Sequence, residues 1–250
     1  VWISMPAFDG DPGSQAYAAL AALMQGVTDR QAALRAAPYV VLDVRGNGGG
    51  SSQWGAHLAL TLWNRDWAAT HLTSPIEGVD WRASEANAAT LQALRDRLTA
   101  SQGDPQMIAW ADETMAGLRA AVAAGQPLWR EPTAQDGPPT FDVPPENPVK
   151  GTVYVLTDAR CASACLDSVD AWKMLGAVQI GRETNADTVY MELRETVLPS
   201  GLARVWTPMK VYRGRARGNN EPQSPAHVFT GDMADQRALE AWVRDLRAAN

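Results

Sequence analysis

The sequence lacks the features of membrane proteins, nucleic-acid-binding proteins and disulfide-rich scaffolds. No apolar run approaches the roughly 18 residues that a transmembrane helix needs. Acidic residues number 28 and basic residues 22, so the formal net charge is −6, whereas a general nucleic-acid binder carries a basic face. Two cysteines among 250 residues are too few for a disulfide scaffold. The composition therefore predicts an ordinary globular domain.

The beginning of the chain is apolar. The segment Val1–Met5 is typical of a strand rather than of a secretory leader, so we predict no signal peptide in this chain. It resembles sequence from the middle of a protein, and we therefore expect that an N-terminal region precedes it.

The two cysteines, Cys161 and Cys165, are four residues apart. On a helical turn this spacing brings the Cα atoms to roughly 6 Å, which is within the range of a disulfide. Two interpretations remain open, a pair of small buried thiols and a disulfide bridge. A bridge would suit an extracytoplasmic protein.

The order of apolar segments predicts an α/β fold. Residues 39–44 (YVVLDV) form a near-continuous apolar run, which is typical of a strand buried on both faces of a parallel or mixed sheet. A helical pattern precedes this run, and a glycine-rich loop and a second helical pattern follow it. The same rhythm resumes at residues 152–157, which predict another buried strand before a helix.

Residues 65–150 interrupt that rhythm, and we predict that they form an inserted helical cap. Two amphipathic helices are expected at 84–98 and 105–124, and a return loop at 127–148 holds 7 of the chain's 16 prolines. The predicted α/β core then comprises residues 1–64 and 151–250. Within its second half, the turn sequence Pro-Ser-Gly predicts a hairpin of two strands, at 188–197 and 202–212.

The loop at residues 45–52 (RGNGGGSS) is the first candidate site. Its glycines leave backbone N–H groups free to face an incoming group. The loop lacks the GxxxxGK[ST] and GxGxxG patterns, so it does not favour a nucleotide site. An oxyanion hole and a purely structural turn remain as alternatives.

Ser163 is the second candidate, because it lies where a strand ending at Thr157 gives way to a helix. A helix N-terminus favours developing negative charge, and the N–H of Ala164 could donate to the oxygen of a carbonyl that Ser163 attacks. The alternative is that Ser163 is only a helix N-cap. The surrounding sequence is not a GxSxG elbow, which disfavours an α/β-hydrolase.

Taken together, the motifs resemble a known family. DVRGNGGG at 43–50, LTD at 156–158 before Ser163, and IGRET at 180–184 occur in one order. In this order they resemble the catalytic core of the tail-specific, or C-terminal processing, serine peptidases, a group that includes the tricorn protease core. The resemblance covers roughly 1–64 and 151–250. It implies a ClpP/crotonase-like α/β spiral of mixed sheet and helices.

The resemblance also implies roles for individual residues. Ser163 falls on the nucleophile, Ala164 N–H on one oxyanion donor, and the pair Gly48 and Gly49 on the other. The processing branch uses a lysine base, but Asp187 stands where that lysine would be, and a carboxylate is no substitute for it.

The general base is therefore open. The tricorn-like branch uses Ser, His and Glu, and by resemblance its histidine would lie upstream of Val1. Glu221 lies 58 residues after Ser163, in a position similar to the family glutamate. It is predicted to orient that histidine, the alternative being a solvated loop acid. Lys173 and Lys210 are poorly placed as bases.

Arg213, Arg215 and Arg217 alternate near a strand end. Because Arg forks match carboxylates, they could clamp a peptide carboxylate, and Arg215 and Arg217 are the predicted substrate-binding residues. The alternative is a solvated edge. No His, Cys, Asp and Glu spacing suggests a metal site, and no cofactor is predicted.

The sequence thus predicts the catalytic domain of a serine peptidase that cleaves polypeptides. Its full-length protein could carry an N-terminal peptide-recognition domain and be periplasmic or secreted, and this fragment alone is expected to be weak or inactive. A catalytically silent peptidase-fold domain that binds a peptide or an apolar ligand is the alternative. A crotonase-type acyl-CoA enzyme fits less well, because it needs no serine at a helix start.

Overall fold

The computed structural model describes residues 1–72, 76–132 and 141–248. The strands in this part of the chain are β1 (Trp2–Ser4), β2 (Tyr39–Asp43), β3 (Gly78–Arg82), β4 (Leu128–Arg130), β5 (Thr152–Thr157), β6 (Val178–Gly181), β7 (Tyr190–Val197), β8 (Arg204–Arg213) and β9 (His227–Val228). The helices are α1 (Gln15–Asp29), α2 (Gln31–Ala36), α3 (Gln53–Trp63), α4 (Arg65–His71), α5 (Glu85–Ala100), α6 (Pro105–Ala123), α7 (Ala164–Met174) and α8 (Gln236–Ala248).

The chain divides into two compact units. Unit 1 comprises Val1–Thr73, Gly137–Asp187 and Glu221–Asn250, and unit 2 comprises Ser74–Asp136 and Thr188–Asn220. Each unit is therefore assembled from segments that are separated in the sequence.

Unit 1 is built on a parallel sheet in the order β1-β2-β5-β6-β9. Asp43 at the end of β2 pairs with Leu156 of β5, and Thr157 at the end of β5 pairs with Gly181 of β6. These strands therefore end along one edge of the sheet. The α/β prediction is confirmed.

The apolar runs in β2 and β5 are buried on both faces of this sheet, as their sequences predict. Val40 and Leu42 join a core cluster with residues of α1, α3 and α7. Val41 points to the opposite face and packs with Leu239 and Val243 of α8. Because side chains alternate along a strand, one short run supplies both cores.

Helices α3 and α7 approach closely at Gly55, and we expect alanine there to destabilise the protein. An added Cβ would lie 2.7 Å from Ser168 Cβ and would overlap Ser168 Oγ. Overpacking of this kind costs about 1–3 kcal/mol, so thermal unfolding should show a lower Tm for Gly55→Ala. Ser168→Gly removes the atoms that the new methyl meets. The double variant should therefore lose less stability than the sum of the single variants, and simple additivity would contradict this packing.

Unit 2 has an antiparallel sheet in the order β4-β3-β8-β7. Helices α5 and α6 contribute Leu91 and Leu118 to a core with Trp81 of β3. Asp80 of β3 accepts hydrogen bonds from Arg130 and Arg213. Burial opposes ionisation of Asp80, but the two guanidinium groups outweigh it and lower the pKa of this carboxyl.

The division of the chain differs from the boundaries expected from the sequence. The predicted hairpin forms as β7 and β8, but β8 pairs with β3, so the hairpin belongs to unit 2 rather than to the parallel sheet. The block 65–150 contains the two expected helices and also β3 and β4. Of the predicted proline-rich return, residues 133–140 lie outside the described part of the chain.

Candidate active site

Three loops follow neighbouring strands at the carboxyl edge of the parallel sheet in unit 1. Residues 44–52 follow β2, residues 158–163 follow β5, and residues 182–187 follow β6. Open α/β sheets bind their ligands outside the carboxyl ends of the strands. This edge is therefore the candidate site, and it carries the glycine loop and Ser163.

Ser163 lies at the start of α7 in an unusual backbone conformation. Its φ is 53° and its ψ is −125°, a region that residues other than glycine rarely occupy and that is found at functional sites. Although Ser163 is in the N-cap position, its side chain makes no capping hydrogen bond. Its hydroxyl is half-buried, and none of the described residues is hydrogen-bonded to it.

The glycine loop packs directly against this turn. Gly49 has a φ of 97°, and a Cβ added to it would lie 2.7 Å from Ala162 O, 2.9 Å from Ser163 Cβ and 3.1 Å from Ala164 N. Only glycine permits this approach. The loop and the start of α7 are thus in contact at the residue that the sequence singled out.

Asn47, which the sequence analysis named only as part of the loop, holds the loop in place. It is fully buried, its Nδ2 donates to Met5 O at 2.9 Å, and its Oδ1 accepts from Gly49 N at 2.8 Å. Its carbonyl accepts from Ala162 N at 3.3 Å. Asn47 therefore connects β1, the glycine loop and the residue before Ser163. A side-chain amide among glycines was the signal for it in the sequence.

Asn47 also bears on the predicted oxyanion donors. Because Gly49 N–H donates to Asn47 Oδ1, that amide already has an acceptor inside the loop. None of the described residues accepts from Gly48 N–H. Ala164 N–H is at the first position of α7, where helix geometry offers no carbonyl within the helix. Of the predicted oxyanion donors, Gly48 N–H and Ala164 N–H thus have no acceptor among the described residues.

Asp158 joins the loops after β2 and β5. Its carboxylate accepts from Gly46 N at 3.0 Å and from Arg160 N at 3.0 Å. Its carbonyl accepts from Cys161 N at 3.1 Å. These contacts fix the glycine loop and the Ser163 loop relative to each other without any contribution from substrate.

Cys161 and Cys165 form a disulfide, with Cα atoms 5.3 Å apart. Of the two interpretations left open by the sequence, the structure therefore has the bridge. Both half-cystines are fully buried within the core cluster of unit 1. Ser163 lies midway between them.

The segment that contains Glu221 is anchored at the same edge by Gln223. Gln223 is buried, its N–H donates to Thr184 Oγ1 at 2.8 Å, and its carbonyl accepts from Thr184 N at 3.1 Å and Gln179 Nε2 at 3.0 Å. Asn185, which follows Thr184 in the chain, donates from its N–H to Cys161 O at 3.0 Å. The loop after β6 thus connects the Glu221 segment to the Ser163 loop.

With this geometry in place, a comparison with family models identifies the group to which the chain is related. Residues 2–222 match the model of peptidase family S41. The chain belongs to peptidase family S41. The resemblance to the C-terminal processing peptidases is thereby confirmed. No curated protein gives a significant match.

Several solved structures are similar to this chain at low sequence identity, and mature CPAF shares its fold. Mature CPAF has a TM-score of 0.54 at 12% identity, over 98% of this chain and 50% of that one. A putative S41 protease from Bacteroides fragilis has a TM-score of 0.47 at 15% identity, over 98% and 53%. The photosystem II D1 C-terminal processing protease has 0.41 at 17%, over 91% and 42%. The S41 chain spans about half the length of these structures.

Two lysines of this S41 chain, Lys173 and Lys210, donate to side chains other than that of Ser163. Lys173 Nζ donates to Gln223 Oε1 at 2.7 Å and to Gln179 Oε1 at 3.2 Å, and burial lowers the pKa of Lys173. Lys210 belongs to unit 2, where its Nζ donates to Glu192 Oε1 at 3.2 Å. Lys173 therefore supports the Gln223 anchor.

The histidines are also engaged elsewhere or exposed. His57 is an exposed residue of α3, His71 stacks on Trp67 with ring centroids 3.6 Å apart, and His227 lies on β9. Within the described part of the chain, none of them is hydrogen-bonded to Ser163.

Arg215 and Arg217 lie in unit 2 and not in the unit that holds Ser163. The Arg215 guanidinium donates to Arg217 O at 3.0 Å and to Thr188 O at 3.0 Å. Arg213 donates to Asp80 Oδ2 at 2.8 Å. Arg213 and Arg215 therefore have acceptors within unit 2, and Arg217 is buried.

Among residues 1–72, 76–132 and 141–248, no group of three or more His, Cys, Asp or Glu side chains could hold a metal ion. In the same ranges, no helix has the length and apolar character required to cross a membrane.

Proposed function

We propose that this S41 chain is the catalytic domain of a serine-type peptidase with Ser163 as its nucleophile. The observation that carries the proposal is the contact between the turn at Ser163 and the glycine loop. The hydroxyl is not used for capping, and Gly49 lies against Ser163 Cβ and Ala164 N.

The proposed reaction proceeds through an acyl-enzyme. Ser163 Oγ attacks the carbonyl carbon of a peptide bond, and its proton passes to a general base. The resulting oxyanion accepts hydrogen bonds from Ala164 N–H and Gly48 N–H. Each such donor is typically worth about 10²–10³ in rate. The C–N bond then breaks, the amine leaves with the proton, and water hydrolyses the ester to regenerate Ser163.

We propose that the general base is a histidine. It comes from a segment that does not contact Ser163 in this structure, and Glu221 is the carboxylate that orients it. The hydrogen bonds between Gln223 and Thr184 hold the Glu221 segment at the carboxyl edge of the sheet. Ser163 lies at the same edge, which supports the orienting role of Glu221. The predicted substrate-binding role of Arg215 is not part of this proposal, because its guanidinium donates to the carbonyls of Arg217 and Thr188.

A fluorophosphonate probe tests the nucleophile. We expect covalent labelling of the full-length protein at Ser163, detected by peptide mass spectrometry, and complete loss of labelling in Ser163→Ala. Ser52→Ala is the matched control, because Ser52 also precedes a helix, makes no capping hydrogen bond and is exposed. Labelling that persists in Ser163→Ala would overturn the assignment.

A catalytically silent domain that binds a peptide or an apolar ligand is the second candidate. It is favoured by Asp187, which stands where the resemblance places the lysine base. The same probe separates the two functions, since a silent domain leaves Ser163 unlabelled in the full-length protein.

We also propose a periplasmic or secreted location and a polypeptide substrate. The disulfide between Cys161 and Cys165 supports the location, because such bonds persist in oxidising compartments and are rare in the cytosol. Family membership supports the substrate class.

A further inference from the structure

We propose that the Cys161–Cys165 disulfide is a positioning device for Ser163, and that reactivity at Ser163 therefore depends on the oxidised state of this bridge. The inference rests on the proposed function, since it concerns the rate at which Ser163 acts as a nucleophile. It assigns a role in the reaction to two residues that contact neither the substrate nor the reacting atoms.

The first argument is the position of the bridge around the turn. The disulfide joins the residue two before Ser163 to the residue two after it, across 5.3 Å between Cα atoms. Between these fixed points Ser163 adopts a φ of 53° and a ψ of −125°. Such a conformation persists only where the surroundings over-determine it. A covalent ring of five residues is the strongest constraint on this turn.

The bridge is also the covalent link across this turn, whereas its other contacts are hydrogen bonds. These include Ala162 N to Asn47 O at 3.3 Å, Cys165 N to Ala162 O at 3.0 Å and Cys161 N to Asp158 O at 3.1 Å. Once the bridge is open, the Cys161 side of the turn can separate from the first turn of α7. The Ala164 N–H, the proposed oxyanion donor, lies inside that ring.

The two bridged cysteines are buried, so their sulfur atoms have little room to separate. Both half-cystines have 0% relative exposure and belong to the core cluster with Trp54 and Leu58. Two thiol sulfurs cannot remain at bonding distance. Cores are packed to the density of organic crystals, so the separation on reduction must be absorbed by movement of the loop or of α7.

The chemical step is thiol–disulfide exchange with a dithiol reductant. The Sγ–Sγ bond accepts two electrons, each sulfur gains a proton, and the dithiol closes to its own cyclic disulfide. Oxidised glutathione reverses the step in two exchanges, which release two molecules of reduced glutathione. The covalent structure of the polypeptide is otherwise unchanged.

The linkage also involves the Glu221 segment. Cys161 O accepts from Asn185 N at 3.0 Å, and Thr184 is paired with Gln223. Movement of Cys161 would therefore be transmitted to the loop after β6. We expect reduction to loosen both the turn itself and the connection between the Ser163 loop and the segment that contains Glu221.

The test compares labelling rates in the full-length protein. The second-order rate constant for fluorophosphonate labelling of Ser163 is measured for the oxidised protein, for the dithiothreitol-reduced protein and for Cys161→Ala/Cys165→Ala. Alkylation and mass measurement verify reduction. Misplacement of a reacting group by about 1 Å costs on the order of 100-fold, and we expect labelling to slow by about 10- to 100-fold in the reduced protein and the double variant. Oxidised glutathione should restore the wild type only.

Val243→Ala is the stability-matched control. Val243 is a fully buried residue of α8 and packs in the core cluster that contains Val41. This cluster lies on the face of the sheet opposite α7. Truncation of Val243 lowers stability without touching the turn, so the labelling rate of this variant should equal that of the wild type. Peptide hydrolysis adds a second readout, since a positioning defect lowers kcat more than it raises KM.

The outcomes distinguish this inference from the proposed function. If the oxidised protein labels at Ser163 and the double variant labels equally fast, the bridge has no positioning role and the peptidase proposal stands. If the oxidised protein does not label at all, the peptidase proposal fails. Hydrogen exchange of residues 161–165 then decides whether the bridge orders the turn. Faster exchange in the double variant supports the positioning role, and unchanged exchange overturns it. If dithiothreitol leaves the bridge intact, the double variant alone decides.

Discussion

Replacing Gly49 with alanine is expected to slow fluorophosphonate labelling of Ser163 by about 100-fold. The new methyl group would lie 2.7 Å from Ala162 O and 2.9 Å from Ser163 Cβ, and the backbone at Gly49 has a φ of 97° that alanine tolerates poorly. Either the loop or the turn must move, and displacement of a nucleophile by about 1 Å typically costs on the order of 100-fold in rate. The labelling rate constant in the full-length protein measures the effect.

The neighbouring glycine supplies the control. A Cβ added to Gly48 meets nothing within 4 Å. Gly48→Ala also retains the N–H that we propose as an oxyanion donor, so its labelling rate should stay within about threefold of the wild type, or about 0.7 kcal/mol at most. Equal rates for the two variants would show that contact between Gly49 and Ser163 is irrelevant to reactivity.

Replacement of Asn47 with alanine should produce the largest loss of stability, about 2–4 kcal/mol in the free energy of unfolding. The side chain is fully buried and joins Met5 O to Gly49 N. Removing it leaves the buried acceptor Met5 O and the partly buried donor Gly49 N–H unsatisfied, and a buried unsatisfied group costs about 1–3 kcal/mol. Denaturant titration measures the loss. Because the loop is freed at Gly49, labelling at Ser163 should fall as well.

Asn47→Asp separates the two hydrogen bonds. The new carboxyl keeps an acceptor for Gly49 N–H, but in its ionised form it offers no donor to Met5 O. Burial disfavours the charged form and raises the pKa of this carboxyl above its unfolded value. The penalty is therefore present above the folded pKa and is relieved as the pH falls through it. Stability relative to wild type should rise on acidification, and a pH-independent difference would contradict the buried placement.

The parallel sheet and the start of α7 could be predicted from sequence because their signals are local. Residues 152–157 were predicted as a buried strand, and β5 has those bounds. The helix that the sequence predicts to start at Ser163 is α7, Ala164–Met174. Apolar runs of strand length and the junction before a helix are fixed by neighbours in the chain.

The assembly of unit 2 could not be predicted in this way. Strand β3 is five residues long and pairs with β8, more than 100 residues later. Its partner is selected by tertiary packing that leaves no periodic trace in so short a segment. The sequence predicts the hairpin of β7 and β8, and it forms. The sequence does not show that this hairpin pairs with β3 and not with the strands of the α/β core.

Within the candidate site, the sequence indicated the nucleophile and the loop but not what connects them. Ser163 and the glycines stand out by type and position. Asn47 and Gln223 act through buried hydrogen bonds to partners distant in sequence, and a single polar letter does not reveal burial. The sequence alone does not decide whether Cys161 and Cys165 are bridged, because a spacing of four residues suits both a disulfide and two thiols.

The backbone at Ser163 restricts which side chain could attack from this position. Threonine, the other hydroxyl nucleophile, is branched at Cβ, and a positive φ of 53° is a severe outlier for a branched residue. Cysteine would fit sterically, but it would place a third sulfur between Cys161 and Cys165. Its thiolate could then attack the neighbouring bridge and rearrange the pairing. The turn geometry and the half-cystines on either side thus favour an unbranched alcohol at this position. For the nucleophile that we propose, we therefore expect neither Ser163→Thr nor Ser163→Cys to yield a threonine or cysteine protease.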